Sequence, residues 1–193
     1  MTLRNSEEQL KKRFEALAGE RLPLWEDIPD LELYMDQVVS IVTDGLLPFN
    51  ITESDIVLTP SMVNNYVKKK VMPAPVKKRY KRTHIAYLFI ILIAKSELQL
   101  KEINYLVERI LADINSTSSD QDSDQEIKKL YRIFHDMHSQ ALEAVFSSSK
   151  DSHTIIAAIN GSVPSTRALF WICLTSCARL RSIAQVQQLA EKE

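Results

Sequence analysis

Apolar residues recur at helical spacing along most of the chain, and this pattern predicts an all-α fold. The predicted helices cover residues 7–17, 31–47, 60–70, 83–96, 98–114, 126–146 and 165–191. Residues 50–57 read as a short capped helix or a turn. The chain holds only three glycines. A sheet or a phosphate-binding loop usually needs more glycine, so the composition supports helices.

Prolines and polar segments divide this pattern into units. Pro23 and Pro29 predict an extended arm over residues 22–30, and Asp30 is the expected cap of the helix that follows. In that helix the residues expected to face inward are Leu31, Tyr34, Val38, Ile41 and Val42. The predicted units are an N-terminal helix and arm (1–29), a first helical domain (30–114), a polar linker (115–124) and a helical C-terminal region (125–193).

The helix over residues 60–70 has one apolar and one polar face. Thr59 is a good N-cap, and proline at position 60 suits the first turn of a helix. The side chains expected to face the core are Met62, Val63, Tyr66 and Val67, and those on the polar face are Ser61, Asn64, Asn65 and Lys68. Pro73 and Pro75 end the helix, and Thr83 is the predicted cap of the next one.

Charge is distributed unevenly along the chain. Residues 59–96 contain nine basic residues and no acidic one, whereas residues 1–58 contain five basic and twelve acidic residues. A block of one sign in a chain with a net charge of -1 predicts a local electrostatic surface. A solvated helix face followed by a basic loop is the simpler reading. We favour a binding surface, because the lysines accompany a strand-like wing and have no acidic residues to balance them.

A protein that reads DNA needs short polar side chains for base edges and cations for phosphates. Asparagine can bind adenine through two hydrogen bonds, and basic residues beside the helix can hold the backbone. Tyr80 can pack against the core or donate to a phosphate, and we favour packing. The predicted DNA-binding residues are Ser61, Asn64, Asn65, Lys68, Lys69, Lys77, Lys78, Arg79, Tyr80, Lys81 and Arg82.

Residues 59–107 resemble the winged helix-turn-helix of MerR-type regulators. The shared features are a capped helix with Tyr66 near its end, the Val71-Met72-Pro73 step, a basic wing with Tyr80, and an apolar helix. The segments LPLWEDIPDLELYMDQV, TPSMVNNYV and PAPVKKRY are also similar to a family of uncharacterised bacterial proteins. That family is known as a domain of unknown function with a MerR-like helix-turn-helix. The resemblance implies a DNA-binding regulator.

Two departures from the MerR pattern fall in this segment. Lys70 stands where such proteins usually carry a glycine that ends the recognition helix. A left-handed lysine at that position costs about 1 kcal/mol. The wing also lacks the usual glycine turn, which predicts a shorter wing.

Other chemistry has weaker support. His135 and His138 could bind zinc together with Cys173 and Cys177 if their helices met, but cysteines in such an apolar segment are more often core residues. We find no serine-histidine-acid arrangement, phosphate loop or pair of catalytic carboxylates. The sequence therefore predicts no enzyme activity, no cofactor and no metal site.

The C-terminal segment ALFWICL is apolar on more than one face, so it is either buried in a bundle or part of a subunit interface. We predict a cytoplasmic homodimer that regulates transcription and has double-stranded DNA, not a membrane, as its partner. Two alternatives remain open. One is an adaptor that binds an acidic protein. The other is a sensor with a small-molecule effector between the C-terminal helices, lined by Phe134, Phe146, Phe170 and Trp171.

Overall fold

A computed structural model describes residues 2–49, 58–116, 122–146, 157 and 159–190. Its α-helices are α1 (Thr2–Gly19), α2 (Met35–Leu46), α3 (Pro60–Lys68), α4 (Arg82–Ala94), α5 (Leu100–Asn115), α6 (Ser123–Phe146) and α7 (Pro164–Ala190). Two short 3-10 turns occur at Trp25–Asp27 and Leu47–Phe49. Within these residues the protein contains no β-strand, which confirms the all-α prediction. The short helix or turn predicted over residues 50–57 lies outside the described residues.

The fold is centred on α4, because every residue from Thr83 to Ala94 in this helix is buried. Helices α2, α5, α6 and α7 all pack against it. The most extensive helix-helix contact lies between α6 and α7, and α1 packs on both of them. A run of apolar residues too short to cross a membrane thus forms the centre of a helical bundle. No helix among the described residues is long and apolar enough to span a bilayer.

The start of α2 differs from the prediction. The helix was expected to begin at Leu31 behind an Asp30 cap, but it begins at Met35. Leu33 instead forms an antiparallel bridge with Tyr80, which keeps residues 31–34 extended. Gln37 then caps the helix by accepting a hydrogen bond from the backbone N–H of Tyr34 (2.9 Å). Leu31 and Tyr34, both expected to face inward, are therefore 58% and 55% exposed.

The start of α4 differs as well. Thr83 was the expected cap, but the helix begins at Arg82 and Lys81 takes the cap position. The His84 side chain does the capping, because its Nδ1 accepts a hydrogen bond from the Lys81 backbone N–H (2.9 Å). Histidine is an unusual cap, so side-chain propensity alone indicates Thr83.

The N-terminal arm packs against α6 and forms hydrogen bonds with it. The Tyr131 hydroxyl donates to the Pro23 carbonyl (2.7 Å), and Trp25 is buried against the Tyr131 ring. Glu26 forms ion pairs with Arg132 (2.6 Å) and Lys128 (3.4 Å). The hydrogen bond from Arg132 is the main cause of a lowered pKa at Glu26. Glu26 thus helps to hold the arm against α6.

Candidate nucleic-acid interface

Helix α3 presents the polar face that its sequence predicts. The Thr59 hydroxyl accepts a hydrogen bond from the Met62 backbone N–H (3.2 Å), and Pro60 opens the first turn. Val63 and Tyr66 are buried, which fixes the rotation of the helix on the core. The side chains left exposed on the other face are Ser61, Asn64, Asn65 and Lys68.

The end of α3 is a Schellman motif built around a lysine. Lys70 has a φ of 58°, in the left-handed region that usually calls for glycine. Its backbone N–H donates to the Val67 carbonyl (3.0 Å), and the N–H of Val71 donates to the Tyr66 carbonyl (3.0 Å). Val71 and Tyr66 are both buried, so an apolar contact accompanies these bonds. Lys70 therefore has the left-handed conformation that was expected where the sequence places lysine at the end of this helix.

Residues 76–79, which we call the basic turn, reverse the chain in the smallest possible loop. The Arg79 backbone N–H donates to the Val76 carbonyl (2.8 Å), and the two residues between them are exposed. Lys77 and Lys78 have φ values of 49° and 63°, as a type I′ turn requires at both central positions. The expected strand-like wing is thus a two-residue turn with isolated bridges, because nothing extends its pairing beyond Tyr80.

Tyr80 anchors the basic turn to the arm. Its backbone exchanges two hydrogen bonds with Leu33, from the Leu33 N–H (2.8 Å) and to the Leu33 carbonyl (2.9 Å). Its ring is 3% exposed and meets the edge of His84. Burial raises the pKa of its hydroxyl. The ring packs into the core, so among the predicted DNA-binding residues Tyr80 is the one that positions the turn.

The two arginines beside the turn are held by aromatic side chains. The guanidinium of Arg79 lies 3.5 Å from the centre of the Tyr34 ring. The guanidinium of Arg82 lies 5.5 Å from the Trp25 ring and 3.9 Å from Asp30. Stacking of this kind orients an arginine while leaving its charge in place. Arg82 is mostly covered, with 17% of its side chain exposed.

A cleft of about 680 Å³ lies between the start of α2, α3 and the basic turn. Helix α3 contributes Pro60 and Asn64, and the turn contributes Lys78. The remaining lining residues are Tyr34, Met35, Asp36, Gln37, Pro75 and Tyr80. Both predicted parts of the interface, the asparagine helix and the basic turn, therefore border one concave surface.

The segments around this cleft, from the end of α3 to the residue before α4, carry six exposed lysines: Lys68, Lys69, Lys70, Lys77, Lys78 and Lys81. Of these, Lys78 lines the cleft itself. None of the six lysines forms an ion pair with a described residue. Elsewhere on the described surface, ion pairs are present: Lys12 pairs with Glu8, Arg109 with Asp113, and Lys128 with Glu26. The face around α3 therefore carries uncompensated positive charge, with Asp36 as the acidic residue inside the cleft.

Most of the residues that line the cleft were absent from the predicted set: Tyr34, Met35, Asp36, Gln37, Pro60 and Pro75. Lys70, at the end of α3, was absent from it as well. Lys70 was taken as a helix end, and Tyr34 was expected to face inward on a longer helix. Tyr34 and Gln37 line the cleft in a structure in which Leu33 pairs with Tyr80 and residues 31–34 are extended. Leu33 and Tyr80 are far apart in sequence, so no local pattern indicates the contact.

The cysteine and histidine pairs do not form a metal site. The described residues contain no group of three or more histidine, cysteine or acidic side chains that could hold an ion. Cys173 and Cys177 are buried, and burial raises the pKa of both thiols. His138 is buried against Phe49 and Phe134, whereas His135 meets the Leu22 carbonyl (3.2 Å). Cys173, Cys177 and His138 are therefore buried residues of the interior.

The fold and this surface define an all-α protein with a basic helix-and-turn face. Residues 23–134 match the model of a family described as a domain of unknown function (DUF1836), and the chain belongs to that family. The matched segment includes the basic face, which consists of α3 and the residues that follow it up to Arg82. Helices α1 and α7 lie outside the matched segment. No curated protein and no solved structure matches the chain.

Proposed function

We propose that the protein is a DNA-binding transcriptional regulator of the MerR-like type, with α3 as its recognition helix and the basic turn as its wing. The observation that carries this proposal is the set of six exposed lysines without ion pairs around the polar face of α3. Uncompensated cations on one face are what binding to phosphates requires, since each contact releases a counterion from DNA.

In this proposal α3 and the basic turn have different roles in DNA binding. Asn64 and Asn65 enter the major groove with Ser61 and Lys68, where an asparagine-adenine pair contributes about 1–3 kcal/mol of discrimination. Lys77, Lys78 and Arg79 contact the backbone and set the register, with Lys69, Lys81 and Arg82 beside them. The connection from α2 to α3, residues 47–59, is longer than the turn of a standard helix-turn-helix. In this proposal the α2–α3 pair acts as a variant of that motif with a longer connection.

In this proposal the protein acts as a homodimer, because helix-turn-helix proteins commonly bind two half-sites on DNA as dimers. An exposed apolar side chain on α7 supports this part of the proposal: Trp171 is 41% exposed, whereas its neighbours Phe170 and Cys173 are fully buried.

The basic turn offers a test of the proposal, because the left-handed backbone of Lys77 and Lys78 lowers the stability of the fold. We expect Lys77→Asn/Lys78→Gly to raise the free energy of unfolding by about 1 kcal/mol, since asparagine and glycine suit positive φ. The same variant loses two cations, so its DNA affinity should fall. The slope of log K against log salt should become shallower by about 1.8, at about 0.9 for each phosphate contact. Fluorescence anisotropy with a labelled duplex at several salt concentrations measures this, and urea unfolding measures stability.

The matched control is Lys12→Gln/Lys101→Gln, which removes two exposed lysines outside this face. It should leave both the affinity and the salt slope unchanged. Wild-type protein that shows no binding to sheared genomic DNA at low salt would rule out the proposal and favour an adaptor for an acidic protein.

Selection of bound sites from a random DNA pool then gives the preferred sequence. An Asn64→Ala variant should relax that preference at one base pair.

A further inference from the structure

A small pocket of about 220 Å³ lies at the end of α4 that is farther from the basic turn. The 3-10 turn after α2, the last residues of α4 and the middle of α7 border it. It shares no lining residue with the cleft beside α3, and the length of α4, about 20 Å, lies between the two sites. The described residues that line the pocket are Phe49, Leu92, Ile93, Lys95, Ser96, Ser176, Arg179 and Leu180.

Half of this lining is apolar. The packing of the interior fixes the apolar surface, because all four residues that form it are buried: Phe49, Leu92, Ile93 and Leu180. The pocket is smaller than the sites of drug-sized molecules, which begin at about 300 Å³. It therefore suits a molecule with one ring or a short aliphatic chain.

The charge in the pocket is of one sign. Lys95 and Arg179 are the charged side chains among its described lining residues, and no carboxylate is among them. Lys95 forms no ion pair with a described residue, and burial is the cause that lowers the pKa of its ammonium group. An ammonium group that has lost part of its hydration is stabilised by an anion beside it. The pocket therefore favours a ligand that carries negative charge.

Ser176 brings an unused hydroxyl group to the same pocket. The residue is 7% exposed, and its hydroxyl forms no hydrogen bond with a described residue. Its neighbour Thr175, in contrast, donates to the Trp171 carbonyl (3.0 Å), as such side chains often do inside a helix. Four buried side-chain atoms in the described part of the chain lack both a partner and accessible surface, and the Ser176 Oγ is not one of them. This hydroxyl therefore remains accessible to a ligand in the pocket.

We propose that this pocket binds a small organic carboxylate, with its apolar body against Phe49 and Leu180 and its carboxylate on Lys95 and Ser176. The Lys95 ammonium and the Ser176 hydroxyl both donate hydrogen bonds to the carboxylate oxygens. Arg179 adds a second positive charge to the lining. An inorganic anion would leave the apolar wall without a contact, and an uncharged molecule would leave Lys95 without a counter-charge. The site is separate from the DNA-binding face, so this inference does not depend on the proposed function.

Benzoate, benzamide and inorganic phosphate are suitable probes. Benzamide has almost the shape of benzoate without its charge, and phosphate has charge without an apolar body. The full chain is titrated with each at constant pH and ionic strength while its amide nitrogen-proton spectrum is recorded. Benzoate should shift the resonances of Ile93, Lys95, Ser176 and Leu180, and the other two probes should bind about tenfold more weakly. Equal binding of benzamide would overturn the role of the charge.

The basic face provides the main competing explanation, because its exposed lysines attract any anion. Benzoate and phosphate would then shift the same resonances, in α3 and the basic turn, and would do so to the same extent. That result would refute the pocket as a carboxylate site. Shifts confined to the end of α4 and the middle of α7 would support it.

Substitution of the two donors locates the carboxylate. Lys95→Gln should weaken benzoate binding about tenfold, whereas Lys101→Gln, which removes an exposed lysine outside the pocket, should leave it unchanged. Ser176→Ala should weaken it about fivefold. Undiminished binding by both pocket variants would refute the site.

Urea unfolding separates a binding role of Ser176 from a structural one. The hydroxyl has no bond to a described residue, so Ser176→Ala should be at least as stable as the wild type. Weaker benzoate binding by a variant of undiminished stability supports the proposal. A Ser176→Ala variant that loses stability in the absence of benzoate would show that the hydroxyl serves the fold and would overturn its role as a donor to the ligand.

Discussion

At the scale of single residues, lysine occupies three positions whose backbone is left-handed: Lys70, Lys77 and Lys78. Glycine adopts this conformation at lower cost because it has no Cβ to crowd the following carbonyl oxygen, and asparagine does so because its short polar side chain can hydrogen-bond locally. All three lysines are exposed and belong to the basic face. Strained backbone often accumulates where function requires a particular side chain. The positions are therefore consistent with a demand for charge that outweighs a cost in stability.

Lys70 allows this cost to be measured alone. Lys70→Gly should raise the free energy of unfolding by about 0.5–1 kcal/mol, because glycine accepts a φ of 58° without strain. Lys68→Gly provides the contrast, since Lys68 is the last helical residue of α3 and glycine there should lower stability by up to about 1 kcal/mol. Chemical unfolding of both variants gives the two values. Equal effects of the two changes would show that Lys70 carries no strain.

At the scale of elements, the helices and their inner faces follow from the sequence because they depend on local periodicity. Helix α5 buries Ile103, Val107 and Ile110, as its spacing predicts. The ends of α2 and α4 do not follow in this way. The Leu33–Tyr80 bridge determines where α2 begins, and the His84 cap determines where α4 begins. The exposed face of α3 was predictable for the same reason as the helices, whereas the cleft depends on a contact between distant segments.

One close approach between elements also escapes prediction. Gly45 in α2 lies against α4, so that a Cβ at this position would lie 2.7 Å from the Cζ of the buried Phe89 ring. Gly45→Ala should therefore lower the free energy of unfolding by about 1–3 kcal/mol, as overpacking of a core does. Gly19→Ala is the control, because nothing lies within 4 Å of its added Cβ and alanine favours the helix. Thermal or urea unfolding should show opposite signs for the two variants, and matching signs would contradict this packing.

At the scale of the whole molecule, one apolar cluster extends from the arm and α2 through α4 to α6 and α7. His138 lies inside it, fully covered, and its Nδ1 has no hydrogen-bond partner among the described residues. Burial is the main cause that lowers its pKa to about 3, with smaller contributions from His135 and Arg21. The folded protein therefore keeps His138 neutral under conditions where the unfolded chain takes up a proton.

Acid should destabilise the molecule through this residue. The ordinary pKa of histidine is 6.5 and the folded value is about 3, so the unfolded chain binds more protons between these two values. Stability is retained above the upper value and falls as the pH drops through that window. The loss at pH 5 is about 2 kcal/mol, at about 1.4 kcal/mol for each pH unit below the ordinary value.

His138→Leu removes the titrating group and the unpartnered Nδ1. The variant should therefore gain about 2 kcal/mol relative to the wild type between pH 7 and pH 5. Urea unfolding of both proteins at the two pH values gives this difference. A constant gap between them would show that His138 does not control acid stability.

The three lysines with left-handed backbone also lead to an expectation about sequence evolution. Lysine and asparagine codons differ by a single base, and asparagine tolerates positive φ better than lysine does. Relief of the strain is therefore one point mutation away at Lys70, Lys77 and Lys78 alike. In a lineage released from the need for charge on this face, these codons should be among the first to drift.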